Sequence, residues 1–491
     1  MLKNKTLLGG SEKHVGLTAL SKKDQVCSAV IEYGILALIV LSPLPAASVY
    51  EWSILAVQLL VLAMLASYVL MSEKPRPNPL LSKSLKWPKI FFLGFFVLVI
   101  IQILPLSASI VRFLSHGSID FQSQYNSVFE SMSYFSISLI PSHSFREGMI
   151  LITYFVLGFL IVRTVTEWRQ IKRIIAVLIS MGVFQAAYGL FELYRRNPRI
   201  LFYEKVYNLD SASGTFINRN HFSGYLEMLI PIAIGLVISR FFIFSQSELN
   251  WREKVQKLSD RDVSSKFLII AGILLMSIAI LFSKSRSGIF ILIFGFFLFF
   301  GMTSLFIRKN GFSSKRVRLF LISFFLILVF IALRLGINSA LERFSMDDLL
   351  SESRPLFWAN TVELFSDFPI FGTGLGTFPA LYPDWEAKGN IIRLFHAHND
   401  FLEYLAEIGL VGFALLFGGI LLILVQIFLC WRNRRHPEVK GLALGGLIAL
   451  ISILVHSVTD FNLHIPANII LFTIVISLTA VIAFYKYDPS A

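Results

Sequence analysis

At 491 residues, with 55% hydrophobic side chains and a mean hydropathy of +0.70, the chain is too apolar for a soluble globule, and its apolar runs repeatedly reach the roughly 20 residues that cross a bilayer. The net charge of +13 reads as membrane topology and attraction to anionic headgroups, not as a nucleic-acid footprint. Cys27 and Cys430 are the only cysteines, which excludes an external disulfide framework and makes cysteine chemistry a poor account of function.

Residues 1–27 form a polar, lysine-bearing tail without the features of a removable signal peptide, so the first span serves as the targeting signal. Hydropathy then predicts about twelve spans, near 28–44, 52–71, 88–104, 148–165, 171–192, 222–244, 266–282, 288–307, 319–335, 406–430, 441–459 and 466–485. The expected fold is an all-α integral membrane protein: spans one to nine over 28–335, a large external loop over 336–405, spans ten to twelve over 406–485 and a tail at 486–491. Lys74, Arg76, Lys83 and Lys86, then Arg163 and Arg169, then Arg308 to Arg318, then Arg432 to Lys440 fall on one side. By the positive-inside rule that side, with both termini, is cytoplasmic. The opposite face nevertheless carries a basic loop between spans five and six, with Arg195, Arg196, Arg199, Lys205 and Arg219.

The stretch 336–405 reads as the only long external connection and as a small subdomain. Short helices are predicted over 340–349 and 355–365, the second capped by Ser353 or Arg354 with Pro355 at its first position. Gly372-Thr373-Gly374-Leu375-Gly376 lacks the preceding strand and following helix of a nucleotide fingerprint. It reads as a turn bringing backbone close to a ligand or to a helix. Asn250 to Lys266 reads as a solvated connector, and no internal repeat is evident.

Four polar segments fall on the external face. In Ser283 to Gly288, Lys284 and Arg286 either snorkel to lipid phosphate or, with flanking serines and a helix start, seat a bound phosphate. Arg354 either pairs with nearby acids or joins the same site. Asn218 and Asn220, around Arg219, either cap span six or hydrogen-bond a sugar or diphosphate. His456, Asp460 and His464 either satisfy a turn or wall the site, with Asp460 orienting a partner.

His398-Asn399 opens a helix, with Asn399 as N-cap and Asp400 and Glu403 in the first turn. The positive helix end favours neutral imidazole, as a general base at neutral pH requires, and simple capping fits equally. Asp400, Glu403 and Glu407 read as capping or solvated acids. His396 and His398 with Asp400 lack a third ligand at strong spacing, so no metal site is expected. Phe378, Tyr382 and Trp385 either stack on sugars or pack the loop.

Ser285-Arg286-Ser287-Gly288, Arg354-Pro355-Leu356-Phe357-Trp358 with Pro369 to Gly376, and His398-Asn399 followed by Gly409 and Gly412 together resemble the bacterial O-antigen ligase and O-antigen polymerase superfamily, over about residues 200–480. Gly214 to Asn220 is similar to the family's segment ahead of a span, although Arg219 stands where a proline is often found. The resemblance implies a GT-C-like helical membrane glycosyltransferase of the bacterial inner membrane, with a large periplasmic loop. It implies transfer of a glycan from undecaprenyl diphosphate to a hydroxyl of lipid A core, of another glycan repeat or, in some members, of a protein. Arg286 and Arg354 would hold the donor diphosphate and His398 would activate the acceptor, without metal, nucleotide or other cofactor. Lys284, Asn218, Arg219, Asn220, Asn399 and Asp460 are the expected substrate-binding residues. A transporter would place its ionisable groups at mid-membrane, where only Glu32 and Glu227 stand out, and a scaffold needs no such cluster.

Overall fold

The structure, a computed structural model, describes residues 21–125, 134–195, 197–244, 261–306, 314–335, 353–386 and 394–486. Its principal helices are α1 (Lys22–Leu41), α2 (Glu51–Leu70), α3 (Lys86–Ile103), α4 (Pro141–Thr164), α5 (Trp168–Leu193), α6 (Arg219–Phe244) and α7 (Arg261–Phe282). They continue with α8 (Arg286–Phe306), α9 (Ser314–Leu335), α10 (Arg354–Asp367), α11 (Asp400–Arg432), α12 (Pro437–His456) and α13 (Pro466–Phe484). Among the described residues ten helices, α1 to α6, α8 and α11 to α13, are long and apolar enough to cross a membrane. Helices α7 and α9 contribute the shorter apolar stretches Phe267–Phe282 and Val317–Ile331, where spans seven and nine are predicted. The chain is an all-α integral membrane protein.

The helix starts follow local chemistry. Proline occupies the first turn of α4, α10, α12 and α13, where its missing N–H costs nothing. A capping box between Glu167 and Gln170 opens α5. Three helices form the centre: 94% of the apolar window of α6, 83% of that of α12 and 89% of that of α13 is buried. Helices α6 and α12 meet through glycine, since a Cβ on Gly441 would strike the Gly235 carbonyl and one on Gly445 would strike that of Pro231. Such small-residue contacts let membrane helices pack backbone to backbone.

Helix α11 breaks at Gly409, with φ 61° and ψ −176°, and the loop backbone fills the break. Leu410 N–H donates to Pro369 O at 2.9 Å and Val411 N–H to Ile370 O at 3.1 Å. Thr373 N–H and Gly374 N–H donate to Ala406 O and Glu407 O at 3.0 and 2.8 Å. The turn of Gly372, Gly374 and Gly376, all at positive φ, therefore approaches a helix, one of the two readings its sequence allows.

The predicted helix over 355–365 is α10, preceded by Ser353; the one over 340–349 lies outside the described residues. Phe357, Leu364, Phe368, Phe378, Tyr382, Leu394 and Ala397 form a small hydrophobic cluster beneath the loop. Phe378 and Tyr382 are thus packing residues, and Trp385 stacks on Phe121 with ring centroids 5.6 Å apart.

That stack corrects one expectation. A second long connection joins α3 to α4 on the same face; its described residues 104–125 and 134–140 hold helices at Ala108–Leu114 and His116–Tyr125 and a ribbon pairing Leu106 with Phe135. Leu139 N–H donates to Thr373 O at 2.8 Å, so this segment shares the core of the 353–405 region. The gap between the predicted spans 88–104 and 148–165 already contained it; its local helices and its packing against residue 373 were what the apolar runs did not show.

Candidate active site

The turn between α12 and α13 presents Asp460, which is fully buried. Its Oδ1 accepts the Phe461 N–H at 2.9 Å and lies 3.4 Å from both His221 Nε2 and His398 Nδ1. Its Oδ2 accepts from Asn220 Nδ2 at 2.6 Å and stands 3.6 Å from Arg354 Nη2. The preceding residue, Thr459, shares a hydroxyl hydrogen bond of 2.9 Å with Ser287, next to Arg286 at the start of α8. Three of the four polar segments therefore meet at one carboxylate, and the fourth, Ser283 to Gly288, reaches its neighbour Thr459. Burial alone would raise its pKa, but contacts from His221 and His398 and the Arg354 charge outweigh that and hold Asp460 well below the usual carboxylate range.

His398 occupies the left-handed backbone region at φ 52°, a strained conformation for a residue with a Cβ. Trp358 Nε1 donates to its carbonyl at 3.3 Å, and its ring stands edge-on to Phe461 with centroids 4.8 Å apart. The Asp460 carboxylate beside Nδ1 favours a proton there and leaves the Nε2 lone pair for other work. The side chain is 25% exposed.

The neighbouring residues divide into holders and capping groups. Asn399 is the N-cap of α11, its Oδ1 accepting from Phe401 and Leu402 N–H. Asn218 accepts the Asn220 N–H at 2.8 Å, which aims the Asn220 amide at Asp460. Ser285 Oγ accepts the Gly288 N–H at 3.1 Å and caps α8. Lys284, at φ 55°, turns its ammonium to Asp210, 2.7 Å away. That bond holds the Asp210 carboxyl below its ordinary range against partial burial, while the Arg219 charge also acts on Asp210. Lys284 and Arg219 thus belong to a flanking charge group with Asp210, beside the Asp460 centre.

Asp400, Glu403 and Glu407 are buried, at 0%, 1% and 2% exposure, which corrects their reading as solvated acids. Asp400 accepts from Leu463 N–H at 2.9 Å and pairs with His464 Nδ1 at 2.6 Å. Glu403 binds His396 Nδ1 at 2.8 Å through Oε1 and the Ala397 N–H at 2.8 Å through Oε2. Glu407 accepts the Phe378 N–H at 3.0 Å. Burial disfavours the imidazolium of His464, but Glu403 and Asp400 overcome it and push the pKa up to about 10. The ligand atoms of His396, Glu403 and His464 lie within 4.8 Å of one another. Of the residues weighed for a metal in the sequence only His396 belongs to this group; Glu403 comes from α11 and His464 from the α12–α13 turn.

Phe461 separates the two centres, with His398 and His221 edge-on to its ring and His396 stacked at 4.3 Å. His456 contacts neither centre directly and pairs with Glu227 at 2.9 Å in the bundle. The helical spacing of His456, Asp460 and His464 therefore does not give a common face, because the chain leaves the helix at Ser457. His221, one residue past Asn220 at the end of the same polar segment, is a site neighbour to which the sequence pattern assigns no role. A cavity of about 280 Å³ with a mixed polar and apolar lining adjoins His396, Glu403, Glu407, His464 and Arg146. Beneath it an apolar cavity of about 400 Å³ runs between α3, α4, α11 and α13, with Tyr404 and Leu463 lining both.

Residues 271–417 match the family model described as O-antigen ligase. That stretch contains Arg286, Arg354, His398 and the Gly409 break, and it is a domain of the O-antigen ligase family; Asn220 and Asp460 lie outside it. The match supports a function of the O-antigen ligase or polymerase type in a multi-pass membrane protein acting on glycan-bearing, lipid-linked material. No curated protein sequence matches the chain.

Proposed function

We propose that the protein transfers a glycan from undecaprenyl diphosphate to an acceptor hydroxyl at the periplasmic face of the inner membrane. The observation that carries this reading is the convergence of Arg354, His398 and Asn220 on Asp460, with the start of α8 bonded to the adjacent Thr459. On this reading the site face looks outward, both termini are cytoplasmic, and the described residues 353–386 and 394–405 belong to the external side.

In the reaction the acceptor oxygen attacks the anomeric carbon, forming the new C–O bond. The bond from that carbon to the diphosphate oxygen breaks, and its electron pair leaves with the diphosphate. Arg286, at the N-terminus of α8, and Arg354 hold the leaving group, where fixed cations and a helix end offset its developing charge. His398 Nε2 takes the acceptor proton, and Asp460 keeps the ring in the required tautomer and stabilises the imidazolium that forms. Asn220 fixes the second oxygen of Asp460. Two arginines perform the charge neutralisation, so the displacement needs no metal and no nucleotide.

The preferred acceptor is lipid A core, the alternative a second glycan repeat. Purified protein given the undecaprenyl-diphosphate glycan together with either acceptor separates them. Product on the core makes it a ligase, lengthened glycan makes it a polymerase, and no consumption of donor rejects the transferase reading.

A further inference from the structure

We propose that His396 Nδ1, Glu403 Oε1 and His464 Nε2 form a binding site for a first-row divalent cation, Zn²⁺ foremost. The ion would tie the segment bearing His398 to α11 and to the α12–α13 turn. Glu403 Oε1 is 2.8 Å from His396 Nδ1 and 3.5 Å from His464 Nε2, and all three atoms fall within 4.8 Å. Zinc bonds of about 2.0–2.1 Å in a tetrahedron put ligand atoms roughly 3.3 Å apart, so shifts of a few tenths of an ångström to about 1.5 Å complete the set.

The surrounding contacts orient these ligands. Asp400 Oδ1 sits 2.6 Å from His464 Nδ1, the carboxylate–histidine arrangement that fixes a proton on Nδ1 and turns Nε2, whose own proton a bound ion would displace, toward Glu403 Oε1. His464 Nε2 is a buried nitrogen with no hydrogen-bond partner among the described residues. Glu403 Oε2 is fixed by the Ala397 N–H, which leaves Oε1 for the ion.

Charge points the same way. Two buried carboxylates, Asp400 and Glu403, face two histidines, and a divalent ion can stand in for the protons that otherwise balance them. Two imidazoles and one carboxylate suit zinc better than calcium or magnesium, which prefer all-oxygen sets. The adjoining cavity of about 280 Å³ provides entry and a fourth, open position. Phe461 lies between this cluster and His398, so the ion takes no part in the displacement proposed above, and the site stands or falls independently of that reaction.

The test uses the full chain purified in detergent, stripped with chelator, reloaded with Zn²⁺ and desalted. Expected are one zinc per chain by elemental analysis, a melting temperature several degrees above the stripped protein, and tetrahedral d–d bands when Co²⁺ replaces zinc. His464→Ala should bind none. Since that change also removes the Asp400 pair, His396→Ala, at the cavity rim, is the second variant. It should melt with stripped wild type and gain nothing from zinc. A wild-type chain that retains no metal means the cluster is held by protons alone and overturns the proposal, as does a His396→Ala chain that binds zinc like wild type.

Discussion

His398 Nδ1 and Asp460 Oδ1 stand 3.4 Å apart, although α11 and α12 run between them in the chain. The pair gives His398 an ionised, buried partner on the nitrogen away from any acceptor. Replacing Asp460 by Asn keeps shape and the Phe461 N–H contact but removes the charge that selects the tautomer. We predict a fall in transfer rate of about 10²–10³-fold, in the range of general-base catalysis, with unchanged membrane insertion. The double variant Asp460→Asn/His398→Ala should be no slower than His398→Ala alone, because the two act as one unit. Initial rates with saturating donor measure both.

Arg286→Lys preserves charge at the start of α8 but loses the planar fork that grips two oxygens. Donor use, as kcat/KM, should drop at least tenfold, and acceptor KM should stay within about twofold. Equal loss on both substrates would place Arg286 outside the diphosphate site.

Lys205 is buried and donates to Ser211 O at 2.6 Å. Burial, partly offset by Asp210, pulls its pKa down from 10.5 to about 8. Between those values the unfolded chain binds more protons than the folded one, so stability rises with pH from about 8 to 10.5. The rise in melting temperature from pH 8 to pH 10 in detergent should therefore be smaller in Lys205→Met than in wild type. Identical slopes would contradict this assignment.

Gly409→Ala would place a methyl group on the Ile370 carbonyl at a positive φ. That conflict is backbone against backbone and cannot be relieved by a rotamer. A destabilisation above about 4 kcal/mol is expected, at the extreme of single substitutions, read as loss of the monodisperse peak in size-exclusion chromatography. Gly301→Ala, in α8 with open space at its Cβ, is the matched control.

The spans were legible because twenty-residue apolar runs have one physical meaning in a chain this hydrophobic. Asn399 and Pro355 were legible too, since capping is local chemistry. The convergence on Asp460 was visible only as shared topology, whereas the partner assignments depended on long-range packing. Nothing in the sequence says that Lys284 turns to Asp210, or that His464 turns to Asp400 while His456 turns to Glu227. The acids of α11 were misread for the same reason: a helix N-terminus predicts acids, but not that the α12–α13 turn and residues 373–378 bury them.

The most direct test of the account is single-turnover transfer from radiolabelled undecaprenyl-diphosphate glycan in proteoliposomes, comparing wild type with His398→Ala at equal folded protein. The account predicts product and release of undecaprenyl diphosphate by wild type, and donor bound but unconsumed by the variant, with the deficit shrinking as pH rises and the acceptor ionises without a base. Transfer by His398→Ala at the wild-type rate with the authentic acceptor would contradict it.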